Sequence, residues 1–303
     1  MNRPILLVVL GPTAVGKTTL AIRLAQHFHT HVVSADSRQV FRELEIGTAK
    51  PSLDELALVP HHLINTRSIA EDYDAGSYAK DVREVLNDLF RDKERVVLCG
   101  GSGLYVQALI EGFDQMPEVP AAIRASISEE YGQRGLAWLQ EEVQRADPAY
   151  YDVVDSKNPQ RLMRALEVIR QTGQPFSNFR RKEIVPLPWE VIKIGLTIDR
   201  EELYRRIDQR MDRMIDQGLF EEARQLFAQR HLPSLQTVGY QEIFGFLEGH
   251  YDREEAIRLL KRNSRNYAKR QLTWFRKDKS IHWFSPDDWS GILAQCTPSM
   301  TVS

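Results

Sequence analysis

An apolar run, Ile5-Leu-Leu-Val-Val-Leu10, leads directly into Gly11-Pro-Thr-Ala-Val-Gly-Lys17-Thr18. No other stretch limits the fold so tightly. A short apolar run that ends in glycine predicts a strand buried on both faces. The G-x-x-x-x-G-K-T spacing predicts a loop whose backbone N–H groups point inward at an oligophosphate. The helix that follows adds its positive end to the same ligand. Gly11 and Gly16 allow the curl, with Pro12, Thr13, Ala14 and Val15 between them. Lys17 is placed to reach the distal phosphate, and the Thr18 hydroxyl to hold Mg²⁺. The motif alone says "oligophosphate", so an ATP-binding NTPase or kinase is the first expectation from it.

The first third continues as alternating strand and helix. Lys17 to about Phe28 reads as helix, with Leu20, Leu24 and Phe28 on one face. His31–Ala35 reads as a second strand, Tyr78–Phe90 as a helix, and Arg95–Cys99 as a third strand before Gly100-Gly-Ser-Gly103. Such alternation implies a parallel sheet covered on both faces, an α/β fold with a P-loop NTPase-like core. From Pro117 to Arg181 only helical segments are expected, the clearest at Asn158–Thr172, ended by Gly173 and Pro175. Strand character returns at Val191–Ile198, followed by helix to about Lys279. The expected organisation is a core of residues 1–116 and 185–285, an all-helical insertion at 117–184, and a loose tail at 286–303.

Composition excludes several classes. Among 303 residues the net charge is −2, so any basic surface for nucleic acid must be local. Two cysteines, Cys99 and Cys296, exclude a disulfide framework and a cysteine-rich zinc site, and fit a reducing, cytoplasmic setting. No signal peptide or membrane span is expected, because the first apolar run is too short. His61 and His62 are adjacent, but neighbours in sequence point in different directions, so structural or substrate-shaping roles are expected over metal binding.

Val32-Val-Ser-Ala-Asp36-Ser-Arg-Gln39 puts a carboxylate at the carboxyl end of the second strand, where open α/β sheets hold their ligands. Three roles are open for Asp36 on residues alone: Mg²⁺ ligand, general base or helix N-cap. Ser37, Arg38 and Gln39 suit recognition of a base or a hydroxyl. Gly100–Gly103 lets another backbone segment approach the same cleft.

Read together, several stretches resemble the bacterial tRNA dimethylallyltransferases. They are residues 11–18, Ser-Ala-Asp-Ser-Arg-Gln-Val (34–40), Ile-Gly-Thr-Ala-Lys-Pro (46–51) and Pro-His-His-Leu (60–63). Further matches are Gly-Gly-Ser-Gly-Leu-Tyr (100–105), residues 158–168, Gln-Thr-Val-Gly-Tyr-Gln-Glu (236–242) and Tyr-Ala-Lys-Arg-Gln-Leu-Thr-Trp-Phe-Arg (267–276). The resemblance implies that the loop grips the diphosphate of dimethylallyl diphosphate, and that the prenyl group goes to the adenosine 3′ of the tRNA anticodon. It implies Asp36 as the base, with Thr13 and Lys17 also in the catalytic machinery, and a target adenine flipped out of its loop. It implies tRNA contacts at Asp36, Ser37, Arg38, Gln39, Ser102 and Arg124, and along Gln160, Arg161, Leu162, Met163 and Arg164. It also suggests a monomer. Two positions depart from the family: Ser102 stands where Thr is common, and Phe41 where Tyr is frequent.

Gln160 and Arg164 share a helix face by their i, i+4 spacing, which suits RNA or simply a solvated surface. Arg258, Arg262, Arg265, Lys269 and Arg276 fall on one helical stripe, a possible track for phosphates. Two other functions fit the loop. A nucleoside or small-metabolite kinase would consume triphosphate without RNA. A nucleotide-switched RNA-binding module would not need Asp36.

Overall fold

The computed structural model describes residues 3–112, 116–180 and 186–297. Contacts divide the chain into two units, Met1–Ile110 with Pro186–Ser303, and Glu111–Val185.

The first unit is built on six parallel strands: β1 (Ile5–Leu10), β2 (Val32–Ser34), β3 (His61–His62), β4 (Arg95–Cys99), β5 (Glu190–Leu196) and β6 (Ile281–Phe284). Their order across the sheet is β3-β2-β4-β1-β5-β6. β1 lies between β4 and β5, with Ile5 opposite both Arg95 and Glu190. All its residues are buried, and alternate side chains serve opposite faces. Ile5, Leu7 and Val9 meet Leu20 and Leu24 of α1 (Lys17–His27) and Leu203 and Ile207 of α8 (Arg200–Asp216). Leu6, Val8 and Leu10 meet Tyr78, Val82 and Leu86 of α3 (Ala75–Leu89) and Val106 and Leu109 of α4 (Gly103–Glu111). The expected helices on both faces are therefore present.

A separate apolar cluster supports the long loop after β2. Val40, Phe41 and Leu44 of that loop pack with Met211 and Met214 of α8, Leu219 of α9 (Leu219–Leu226) and Tyr240. Ile243 of α10 (Gln241–Leu247) and Leu260 of α11 (Arg253–Phe275) complete it. The Phe41 ring is buried here, so this departure from the family pattern lies in a core. The short α2 (Leu53–Leu58) buries none of its residues.

The second unit is helical: α5 (Ala121–Ala146), α6 (Pro148–Tyr151) and α7 (Pro159–Thr172). Gly135 interrupts α5 with φ 74° and ψ −170°. Asn158 caps α7 by accepting from Arg161 N at 3.3 Å, and Gly173 ends it at φ 69°. Ile127, Trp138, Leu139, Val143, Leu162 and Leu166 form its core.

Three elements differ from the sequence expectation. β3 is only two histidines, too short and polar to register as a strand. β6 follows directly on the charged turn at 277–280. The third concerns the expected loose tail, which contains α12 (Trp289–Cys296), with Ile292 and Cys296 fully buried against the β1 face. Asp288 caps this helix through Gly291 N at 3.0 Å, and Arg23 lies 3.9 Å from the Trp289 ring centroid. The apolar positions that drive this docking are spaced too sparsely to stand out in the sequence. Replacing Ile292 by Ala should cost about 2–5 kcal/mol in denaturant unfolding, as for other large-to-small changes in a core. A loss below about 0.5 kcal/mol, the size of a typical surface substitution, would mean the helix does not hold the fold.

Candidate active site

The loop between β1 and α1 sits at the carboxyl end of the central strand. Gly11 has φ 145°, and a side chain there would meet Leu196 O at 2.8 Å, so this turn demands glycine. Gly16 precedes α1 without a side-chain cap, and the first turn of α1 carries no acidic residue. Its N–H groups and dipole are left to favour an anion. Lys17 Nζ folds across the loop and donates to Pro12 O at 2.7 Å. Burial pulls its pKa down to about 8, helped by Arg210 and opposed by Cys99 and Asp36. Thr18 Oγ1 has no hydrogen-bond partner among the described residues.

One residue of α11 ties this loop to the loop after β4. Gln271 Oε1 accepts from Thr13 N at 2.8 Å, and its Nε2 donates to Gly101 O at 3.0 Å. A side chain on Gly101 would collide with that amide, so glycine permits the approach. Ser102 joins the loops after β2 and β4, with Oγ accepting from Ser37 N at 2.9 Å. The hydroxyl that Ser102 keeps therefore has a structural bond.

Asp36 stands at the end of β2. Its Oδ1 accepts from Arg38 N at 2.9 Å and Gln39 N at 3.3 Å, which closes a turn; no helix follows, so it is not the helix N-cap, one of the three roles open to it. The same residue also borders a cavity of about 90 Å³ shared with Thr13, Arg38, Arg210 and Tyr267. Ile207, Met211, Met214 and Val238 supply its apolar wall. The turn-closing and cavity-lining roles are compatible, because a carboxylate has two oxygens. Gln39 turns its amide inward, donating to Ala49 O at 3.2 Å, and so braces the loop. A larger depression of about 550 Å³ beside β6 is lined by Arg276, Lys279 and Trp283. Neither residues 11–18 nor Asp36 borders it, whereas Thr13 and Asp36 both border the smaller cavity.

Neither Arg210 nor the task of Gln271 is evident from sequence, and Tyr267 lies in a matched stretch without a sign that it borders the cavity. The Arg210 Nε is buried without a partner among the described residues, and burial lowers the pKa of this guanidinium. A buried guanidinium with an unused donor beside a phosphate loop calls for an anion. In sequence it is one of several arginines on α8, and only its inward position distinguishes it.

The insertion residues lie in the other unit. Arg124, Gln160 and Arg161 are exposed, and Arg164 pairs with Glu167 at 3.1 Å. Leu162 corrects the expectation of a tRNA contact: it is fully buried, so its side chain offers no surface to RNA. Met163 packs partly against the same core. The basic stripe on α11 is also weaker than its spacing suggested. Arg258 is held by Glu255 at 2.6 Å and Arg265 by Asp208 at 2.6 Å. His62 Nε2 lies 2.9 Å from His31 Nδ1. No group of three His, Cys, Asp or Glu among the described residues could hold a metal.

A family model described as IPP transferase matches residues 39–278. The chain belongs to the IPP transferase family. It is 52% identical over 282 residues to a tRNA dimethylallyltransferase of Cytophaga hutchinsonii, covering 93% of both chains. It is 47% identical over 290 residues to tRNA dimethylallyltransferase 1 of Bacteroides thetaiotaomicron, covering 96% of this chain and 94% of that one. Among solved structures it resembles the tRNA isopentenylpyrophosphate transferase of Bacillus halodurans, with 36% identity, a TM-score of 0.70, and coverage of 96% and 94%. A eukaryotic dimethylallyltransferase acting on tRNA gives 26% identity and a TM-score of 0.78, over 95% of this chain and 75% of that one. The family model spans the chain from the loop after β2 through α11, and these relatives cover more than nine-tenths of it.

Proposed function

We propose that the chain moves the dimethylallyl group of dimethylallyl diphosphate onto the exocyclic N6 amine of the adenosine 3′ to the tRNA anticodon. The observation that supports this is the 47–52% identity, over more than nine-tenths of the chain, to proteins named tRNA dimethylallyltransferase. The site supplies matching chemistry. The N6 nitrogen attacks the allylic carbon, the C–O bond to diphosphate breaks, and its electron pair leaves with the diphosphate. Negative charge grows on that leaving group, where the loop N–H groups, Lys17 and Arg210 supply fixed positive charge. The amine proton passes to Asp36. The apolar wall of Ile207, Met211 and Met214 takes the five-carbon chain, and Thr13 orients the reacting groups beside it.

Mg²⁺ fits this donor set. It is commonly bound by one or two protein oxygens plus substrate phosphates, and the unpaired Thr18 hydroxyl at the loop provides one. When bound, the ion would neutralise charge on the diphosphate. Arg38 at the cavity, with neighbouring Ser37 on the same loop, would receive the flipped adenine, and the exposed Gln160, Arg161 and Arg124 of the insertion are further candidates for RNA contact. Cys99 and Cys296 are both free, which fits a reducing cytoplasm, and the protein acts as a monomer in this scheme. No helix among the described residues is long and apolar enough to cross a membrane.

The test is to incubate the protein with Mg²⁺, prenyl-labelled dimethylallyl diphosphate and unmodified tRNA carrying adenosines 3′ of the anticodon. Label should enter the RNA and require it. No label, with ATP phosphate transferred instead, would favour a kinase.

A further inference from the structure

Glu222 of α9 lies outside the cavity, yet its carboxylate gathers hydrogen bonds from two segments that line it. Oε2 accepts from Glu45 N at 3.1 Å and Ile46 N at 2.7 Å. Oε1 accepts from Gly47 N at 2.8 Å and from the Tyr240 phenol at 2.7 Å. Gly47 and Thr48 form one wall of the cavity, and Thr237, Val238 and Gly239 form another. Tyr240 closes the second segment through its N–H to Thr237 O at 3.3 Å, and its side chain is fully buried. Glu242, itself buried, separately anchors that segment by accepting from Gly239 N at 2.8 Å. In the first segment the carbonyls of Glu45 and Ile46 are held locally, by Thr48 Oγ1 at 3.2 Å and Ala49 N at 2.9 Å, while its N–H groups at 45–47 are gathered by Glu222, which joins them to Tyr240.

The fit at this joint is close. A side chain on Gly47 would come within 2.5 Å of the Tyr240 phenol oxygen, so the two walls touch without slack. Three converging N–H groups and a phenol need an acceptor on both oxygens, which only a carboxylate provides. A glutamine of the same shape would turn N–H toward N–H at one of them.

We infer that Glu222 is a positioning residue that fixes the distance between the 45–48 and 237–239 walls and thereby limits the length of prenyl chain the cavity accepts. The inference rests on the proposed role of this cavity as the seat of the donor's hydrocarbon chain. Glu222 touches no substrate and acts through the backbone of Gly47 and the ring of Tyr240. Loosening it should let the cavity widen while the phosphate loop, Lys17 and Asp36 keep their geometry.

The experiment compares dimethylallyl diphosphate with the longer geranyl diphosphate as donors to unmodified tRNA. Glu222→Gln should raise KM for dimethylallyl diphosphate about tenfold, hold kcat within about threefold, and raise the geranyl-to-dimethylallyl ratio of kcat/KM about tenfold, in the range that pocket size governs. Tyr240→Phe removes one donor and should shift the ratio the same way, by about threefold. An unchanged KM and ratio in Glu222→Gln that melts like the parent would overturn the inference, as would equal loss of kcat with both donors. If Glu222→Gln does not fold, an unchanged ratio in Tyr240→Phe overturns it. Met214→Ala separates the two levels, because it widens the apolar wall directly. No change of ratio in that variant would mean the cavity does not hold the donor chain. A change there, with none in Glu222→Gln, would remove only the role of Glu222.

Discussion

Asp36→Asn is expected to fold like the parent and to transfer the prenyl group about 10²–10⁴-fold more slowly, the usual loss when a general base is removed. Asp36 does two things. Its Oδ1 closes the turn through Arg38 N and Gln39 N, and its carboxylate borders the cavity with Thr13. Asparagine keeps an oxygen for the turn but cannot take the amine proton. Alanine loses both, so Asp36→Ala should add a stability loss of about 1 kcal/mol, typical for lost intramolecular hydrogen bonds. Single-turnover rates and melting curves, measured on both variants, separate the two roles. A rate for Asp36→Asn within about threefold of the parent would move the base elsewhere.

Lys17→Met should lower kcat/KM for the diphosphate donor by about 10²–10³, as when one preorganised donor to a developing anion is deleted. The lysine also predicts a pH profile. Its folded pKa is lowered from 10.5 to about 8, so the ammonium is lost as pH rises through about 8. kcat/KM should therefore fall above that pH. Lys17→Arg stays charged throughout and should lose this break, whatever its absolute rate. Stability runs the other way. Between about 8 and 10.5 the unfolded chain holds more protons at this residue than the folded one, so the lysine makes stability rise with pH there. Falling activity over that window would then be a titration at the site and not unfolding. A flat profile for the parent up to pH 9.5 would sink this account of Lys17.

The sequence carried the central strands clearly, because β1 and β4 are uninterrupted apolar runs ending in glycine. The α7 boundaries were equally readable, since Asn158 and Gly173 are direct cap signals. β3 and β6 were not, because short edge strands need little apolar pattern when neighbours supply the pairing. The site divided along similar lines. Residues 11–18 and Asp36 are local in sequence and carry their chemistry in their spacing. Gln271 sat inside a recognised stretch with no sign of its task, because both its partners are backbone atoms 258 and 170 residues away. Arg210 looked like its neighbours on α8 until its burial was known. Leu162 erred in the opposite direction: it lay within a motif tied to RNA, yet the helix turns it into the core.

The bond between Thr13 and Gln271 also bears on synthesis. The phosphate loop leaves the ribosome well ahead of Gln271, which follows Thr13 by 258 positions. At typical elongation rates that interval lasts roughly 10–50 s. For much of it β1 also waits for its β5 partner, which follows the insertion. A nascent chain thus holds a loop of the right sequence but without the brace from α11. The chain cannot grip its anionic substrate in finished form until α11 has been made and has docked, so the loop's sequence alone does not make a competent site.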